Sequence, residues 1–521
     1  MEQNVLPAVD PAHSTQRAAT RPGALLSIQY LRALAALMVT AYHVSHFISE
    51  YLGAKPFLGW DALGLYGVSI FFAISGYLMA TLVRRTDPWV FMAHRLVRIY
   101  PTFLIVFAIC VTLAIAAGEP LPFDPIGASL VPAGERFYAL RVEWTLLFEV
   151  TFYVVLFAVS LVGWTRWLER GVLTWLTLLL ACSVVFPGWN HEATPPVYRL
   201  PLLPACTGFA AGLLIPAALR VGSIPRWTFA AALLLALVSV GLPIGDSRFV
   251  SGILAALMVA GIVRSEPRVA RPALDPLKKV GDWSYALYLC HVPIILVALR
   301  LAPLQMNPVL LWFCTIAACL GASALIGTLD VRLYRVSKQM VDRAGSGPLH
   351  RLVAGYLALF TAIGVYGAVD TALRERRSGQ ERAILSRIPA DALRRRETAR
   401  IALEAAGLPA PPYLRGEVTE VARLDGALIV RGWLFDEANT QRRLSAAIFY
   451  NGVELKVTQP SRKRPAIAAS LGRPDLAKAG LGFGIAHPMA CVPGAEVVVV
   501  GLDLAGAAAV LPGKAIIDEC P

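Results

Sequence analysis

Charge is what this 521-residue chain has least of. Asp, Glu, Lys and Arg make up 16% of it and apolar residues 56%, whereas soluble domains carry about 25% charged residues. That shortage excludes a protein that is soluble along its whole length and leaves a polytopic membrane protein with room for one soluble domain. A cleavable leader pattern is also missing. Residues 1–24 are polar and proline-rich, and the first apolar run is long enough to span. The histidines and cysteines lack metal-ligand spacing, so no metal centre is expected. Cys110, Cys182, Cys206, Cys314 and Cys319 lie inside apolar runs and read as packing residues, and Cys290 abuts His291. No internal repeat is visible, which argues against a transporter built from two similar halves. The net charge of +13 could suggest nucleic acid. The basic residues, however, lie mostly in short loops between apolar runs, where they report membrane orientation instead.

What is present is a series of eleven apolar runs, about 25–48, 62–83, 102–118, 142–162, 172–187, 199–218, 227–243, 248–263, 281–300, 308–330 and 350–370. With the N-terminus in the cytoplasm, the inside segments hold twenty basic residues and the outside segments before the last run hold six. That bias places the N-terminus inside. An odd number of spans then puts everything after residue 370 outside. Residues 371–407 are charge-rich and helix-prone, broken at Pro389, and read as a stalk of two short helices. PAPPY at 409–413 marks a stiff linker. Beyond it come short β-branched runs with turns, ALIVRGWLFD, SAAIFYNGVELKV and AEVVVVGLDLAG, with a hairpin signal at Asn451-Gly452. The reading is a mainly α membrane bundle of about ten core spans plus an eleventh, followed by a small all-β domain. Its parts are a cytoplasmic tail at 1–24, a membrane domain at 25–340, an added helix at 350–370, a stalk and linker at 371–412, and an outer β-sandwich at 413–521. An outer location would permit a disulfide between Cys491 and Cys520 if the fold brings them together.

Polar insertions in the apolar runs are the candidate chemistry, because an ionisable group in lipid costs at least ~2.5 kcal/mol for arginine and is rarely left without a partner or a task. Arg32 and His43 share the first run, eleven positions and about 16 Å apart on a helix. Ser75-Gly76 interrupts the second run, and close helix packing through small residues is the plainer reading. Arg95 and Arg98 lie one turn apart in AHRLVRIYP, before Pro101. They are expected on one face of a short cytoplasmic-surface helix, either as an ordinary anchor or as a phosphate clamp. In VEWTLLFEVTFY, Glu149 is seven residues into a run that enters from outside, about 10 Å deep. His43 lies at a similar depth, so Glu149 is expected to meet it and orient its ring. In GDWSYALYLCHVPI, Tyr288 and His291 share a face near mid-membrane.

These segments, in this order, resemble the membrane acyltransferase-3 family, whose members acylate cell-envelope glycans and other extracytoplasmic acceptors. The resemblance spans about residues 25–340 and rests on LRALAAL…YH, FFAISGYL, RLVRIYP, WTLLFEVTFY and SYALYLCH. SIQYLRALAAL and WTLLFE look closest to the branch that decorates exopolysaccharides, whereas many better-known members of the family instead read LDGLRALA and WSLSVE. The resemblance implies that His43 is the essential histidine and Arg32 the essential first-helix arginine. It also implies that Arg95 and Arg98 form the basic motif associated with the acyl donor, and that Glu149 is the fourth-segment acid. Members typically have ten spans, and the eleventh here is similar to the addition in members with a fused outer domain. Some fusions carry a serine-hydrolase-like domain. Here the GDS at 245–247 falls in a short loop between spans and residues 414–521 offer only His487, so a second hydrolase site is rejected. The GWLFD-containing module looks like an accessory domain found on other envelope-glycan enzymes.

The expected activity is transfer of an acyl group, acetyl in the first instance, from cytoplasmic acyl-CoA to a hydroxyl of an envelope or exported polysaccharide, at the inner membrane. Acyl-CoA is a co-substrate, with no bound cofactor. Arg95 and Arg98 would dock the donor phosphates and Arg32 would guide its thioester end. His43 would be base or transient acyl carrier, with Glu149 holding its tautomer or binding the sugar. Ser75, Tyr153, Tyr288 and His291 remain as polar groups for the acceptor or for the bundle. Two rivals stand beside this reading: a lipid-linked glycan flippase, and a membrane-anchored glycan-binding protein using Tyr413, Trp433, Phe435, Tyr450 and Phe483.

Overall fold

The computed structural model describes residues 26–52, 61–116, 124–222, 224–225, 227–239, 247–265, 274–303, 306–424, 427–440, 442–463, 465–473, 476, 480–488, 492 and 494–516. The tail at 1–24, Cys491, Cys520, Gly245 and Asp246 lie outside these residues, as does the side chain of His487. The chain forms two compact units, 1–371 and 372–521.

The first unit is helical because a backbone in lipid must satisfy its own hydrogen bonds. Its helices are α1 (Leu26–Leu52), α2 (Asp61–Arg85), α3 (Pro88–Ala116), the single turn α4 (Pro125–Ala128), α5 (Trp144–Leu161), α6 (Leu168–Val185), α7 (Thr207–Val221), α8 (Thr228–Ser239), α9 (Arg248–Arg264), α10 (Asp275–Leu301), α11 (Pro308–Arg343) and the start of α12 (Ser346–Leu385), whose residues from Ala372 onward belong to the second unit. Among the described residues nine are long and apolar enough to cross a membrane. The two runs expected between 227 and 263 form the shorter α8 and α9. The latter starts sharply where the Ser247 hydroxyl accepts the Val250 amide. RLVRIYP is not a separate surface helix. α3 runs through it with Pro101 inside, a residue that membrane helices tolerate where neighbours re-satisfy the freed carbonyl.

Close approach fixes how these helices pack. A Cβ on Gly281 would stand 2.2 Å from the Gln29 carbonyl, so α10 lies directly against α1. One on Gly76 would stand 2.1 Å from the Phe209 carbonyl, which bears out the small-residue packing of α2, here against α7. Before α5, the buried Glu143 carboxylate accepts the amides of Leu140 (2.7 Å) and Val142 (3.0 Å). That clamps a turn in which Arg141 has φ of 60°.

The second unit pairs two antiparallel sheets, of order β1-β2-β6-β5 and β4-β3-β7-β8. The strands are β1 (Leu414–Leu424), β2 (Ala427–Asp436), β3 (Leu444–Tyr450), β4 (Val453–Thr458), β5 (Arg462–Lys463), β6 (Gly480–Pro488), β7 (Val497–Asp503) and β8 (Ala507–Val510), with α13 (Arg396–Ala405) before them and α14 (Pro465–Ser470) between β5 and β6. Asn451 and Gly452 both have positive φ, 49° and 79°, the twist-matched hairpin turn their sequence predicts. β3 and β7 are buried on both faces. Ile448, Tyr450, Val497 and Val499 face the opposite sheet, whereas Phe449, Val498, Val500 and Leu502 face Ile384, Ile388, Leu393 and Leu403. The segment expected as a stalk is therefore in part a third layer over the sheet. Tyr450, Phe483 and Phe435 are buried in the cores of this unit, and the Tyr413 hydroxyl is bonded to Asp503. Three of the five rings weighed for sugar stacking therefore pack the domain, while Tyr413 and Trp433 are half-buried.

Candidate active site

α1, α2, α3, α5, α10 and α11 enclose a cavity of about 350 Å³. Seven of the nine candidate residues line it: Arg32, Ser75, Arg95, Arg98, Glu149, Tyr153 and Tyr288. The Arg32 guanidinium donates to Ser284 Oγ at 3.0 Å. Tyr153, one turn beyond Glu149 on α5, donates its hydroxyl to the Glu149 carboxylate, and the Arg95 guanidinium lies 5.7 Å from the Tyr153 ring centre. The cavity thus mixes apolar walls with more guanidinium groups than carboxylates.

Arg98 is the most constrained of the three arginines. One of its nitrogens donates to both oxygens of Asp330 on α11, each at 3.0 Å, and Thr102 donates to the same carboxylate at 2.6 Å. Tyr285 and Tyr334 flank the guanidinium with ring centres at 4.8 and 5.2 Å. Asp330 is 1% exposed. Sequence reasoning passed over it because it stands where an apolar run ends; a lone carboxylate before VRLYR was the available signal. Ser284 was missed as well, although it belongs to the SYALYLCH segment.

The remaining two candidates form their own pair. His291 Nε2 lies 3.1 Å from His43 Nδ1. His291 Nδ1 lies 3.1 Å from the Leu287 carbonyl and His43 Nδ1 lies 3.0 Å from that of Val39. A carbonyl only accepts, so each Nδ1 bears the proton and each Nε2 the lone pair. His43 Nδ1–H is shared between the Val39 carbonyl and His291 Nε2, and His43 Nε2 keeps its lone pair. The expected His43–Glu149 pairing is therefore corrected: Glu149 bonds Tyr153, and α10 supplies the imidazole's partner. Tyr288 connects the two regions. It accepts from Thr145 at 2.6 Å, donates to the Val142 carbonyl, and its ring centre is 5.9 Å from that of His291. Ser284, Tyr285, Tyr288 and His291 make one helical stripe on α10, running from the arginines to the histidines. Among the described residues no three His, Cys, Asp or Glu side chains gather to hold a metal.

Fold and site together define a multi-pass membrane protein whose polar machinery is enclosed among its helices. Residues 25–328, more than half of the chain, match the acyltransferase domain of the acyltransferase-3 family. The chain belongs to that family and is a membrane acyltransferase. Similar proteins include the exopolysaccharide production protein ExoZ of Rhizobium meliloti (strain 1021), 33% identical over 251 residues, which are 44% of this chain and 76% of that protein. The acyltransferase MdmB of Streptomyces mycarofaciens is 27% identical over 345 residues, 58% of this chain and 87% of that one. No solved structure matches the chain.

Proposed function

We propose that this acyltransferase moves an acetyl group from acetyl-CoA to a hydroxyl of an envelope or exported polysaccharide. The observation that carries the reading is the cavity at the Arg32 end of α1, where three arginines converge while His43 stands eleven residues further along the same helix. Arginines suit the phosphates of a CoA donor, since a guanidinium fork binds phosphate oxygens in pairs. Arg95 makes no ion pair among the described residues and is free to do so, Arg32 is held by the Ser284 hydroxyl, and the Arg98–Asp330 pair shapes the wall beside them. The acceptor hydroxyl gives its proton to His43 Nε2 as its oxygen attacks the thioester carbonyl. The C–S bond then breaks, and the leaving thiolate receives that proton from His43 Nε2, which returns the imidazole to its neutral form.

The name of ExoZ ties that relative to exopolysaccharide production, which supports a glycan acceptor here. Transfer is tested with purified protein, acetyl-CoA and de-esterified polysaccharide. Arg95→Ala is expected to raise the KM for acetyl-CoA at least tenfold while leaving that for the glycan within about twofold, since one charge-assisted hydrogen bond is worth about 1.5–3 kcal/mol. An unchanged donor KM would return Arg95 to the anchor reading.

The twenty-to-six bias of basic residues supports an inner-membrane protein with its N-terminus in the cytoplasm, its donor site facing inward and residues 413–521 outside. A C-terminal alkaline phosphatase fusion should then be active and a C-terminal β-galactosidase fusion silent. The reverse pattern would overturn the orientation.

A further inference from the structure

A second recess, of about 210 Å³, is bounded by Phe47, Glu50, Arg141, Leu296 and Leu299. We propose that it is the acceptor subsite, where a hydroxyl-bearing sugar ring lies against Phe47 with its hydroxyls held by Glu50 and Arg141. The proposal rests on the acyl-transfer reading and names where its acceptor binds.

Three elements place this recess on the far side of the histidine pair from the arginine cavity. Along α1 the order is Arg32 in the first cavity, His43, then Phe47 and Glu50 in the second recess. Along α10 it is Ser284, Tyr285 and Tyr288, then His291, then Leu296 and Leu299. The chain entering α5 repeats it, with Arg141 at the recess and Thr145 and Glu149 in the cavity. Donor and acceptor would approach His43 from opposite ends, which a transfer across a membrane requires.

The chemistry of the recess suits a sugar. Phe47 is half-buried and stacked with His43, with ring centres 6.3 Å apart and planes inclined by 24°, so a ring on its outer side would lie one helical turn from the base. An aromatic face takes the apolar face of a pyranose, while charged groups at the rim take its hydroxyls. The Arg141 guanidinium lies 5.9 Å from the Phe47 ring centre and makes no ion pair among the described residues. Its backbone is held in the left-handed region (φ 60°) by the turn that Glu143 clamps. Left-handed backbone at a non-glycine residue is uncommon and persists where its surroundings enforce it. Here it aims an unpaired cation over an aromatic wall. Glu50 is exposed at the end of α1 and meets only His46, at 3.9 Å, among the described residues.

The test is read without donor, so that it stands apart from acyl transfer. Full-length protein in nanodiscs is titrated with fluorescently labelled oligosaccharides cut from alkali-de-esterified polysaccharide of the host that carries this chain. Wild type and Phe47→Trp should bind them, and Phe47→Ala and Arg141→Ala should bind at least tenfold more weakly. In the transfer assay the same two alanine variants should raise the glycan KM and leave the acetyl-CoA KM unchanged. Wild-type binding in both alanine variants, or no binding by wild type, would overturn the subsite. Binding by wild type with no turnover on acetyl-CoA would uphold the subsite and sink the donor assignment instead.

Discussion

His43→Gln is expected to lower acyl transfer by about three orders of magnitude, within the ~10²–10⁴-fold range of a positioned general base, while the protein still inserts and purifies. Glutamine keeps polar atoms near the Val39 carbonyl and His291 Nε2 but offers no basic nitrogen on its far side. A packing role for His43 would instead lower protein yield and leave the turnover of what is made intact. The measurement is therefore turnover per purified molecule, set beside thermal unfolding in detergent. His291→Gln separates the pair further. It can accept from His43 Nδ1–H through its amide oxygen, so it should keep far more activity than His43→Gln. Equal losses in both would mean that the two rings act as one unit and not as a base and its positioner.

Asp330→Ala should be the most damaging substitution for stability. It removes the carboxylate that takes both contacts from Arg98 and one from Thr102, and leaves a guanidinium among apolar helices without its counter-charge. Breaking a buried pair from one side costs about 3–5 kcal/mol, enough to remove most of the folded protein. The double variant Arg98→Met, Asp330→Leu tests the cause. Removing both charges together is often neutral for folding, so it should recover the wild-type unfolding temperature. An Asp330→Ala protein that melts like wild type would show that Arg98 finds water or another partner.

Much of this architecture was visible in the sequence, because lipid makes composition legible. Polar groups stand out against apolar runs, and seven of the nine residues chosen as candidates line one cavity. The Asn451-Gly452 turn was readable for a local reason, since the two residues together tolerate positive φ. Tertiary choices were not readable. Equal depth in two helices suggested that Glu149 meets His43, but depth says nothing about rotation about the helix axis, and His291 holds that position. In the same way the AEVVVVGL run reads as a strand. Its unbroken apolar character carried a further message, burial on both faces, and the helical segments before it supply the second cover.

The His43–His291 contact joins residues 248 positions apart, and Arg32 likewise finds Ser284 only on α10. At about 5–20 residues per second of synthesis, roughly 12–50 s pass between the emergence of α1 and that of its partner. During that interval the first helix holds an arginine and a histidine in lipid with neither contact formed. Nascent chains arrested before α10 therefore present the membrane quality-control machinery with a helix whose polar side chains lack these hydrogen-bond partners. The contacts of Arg32 and His43 are completed only when the ninth of the eleven apolar runs is inserted.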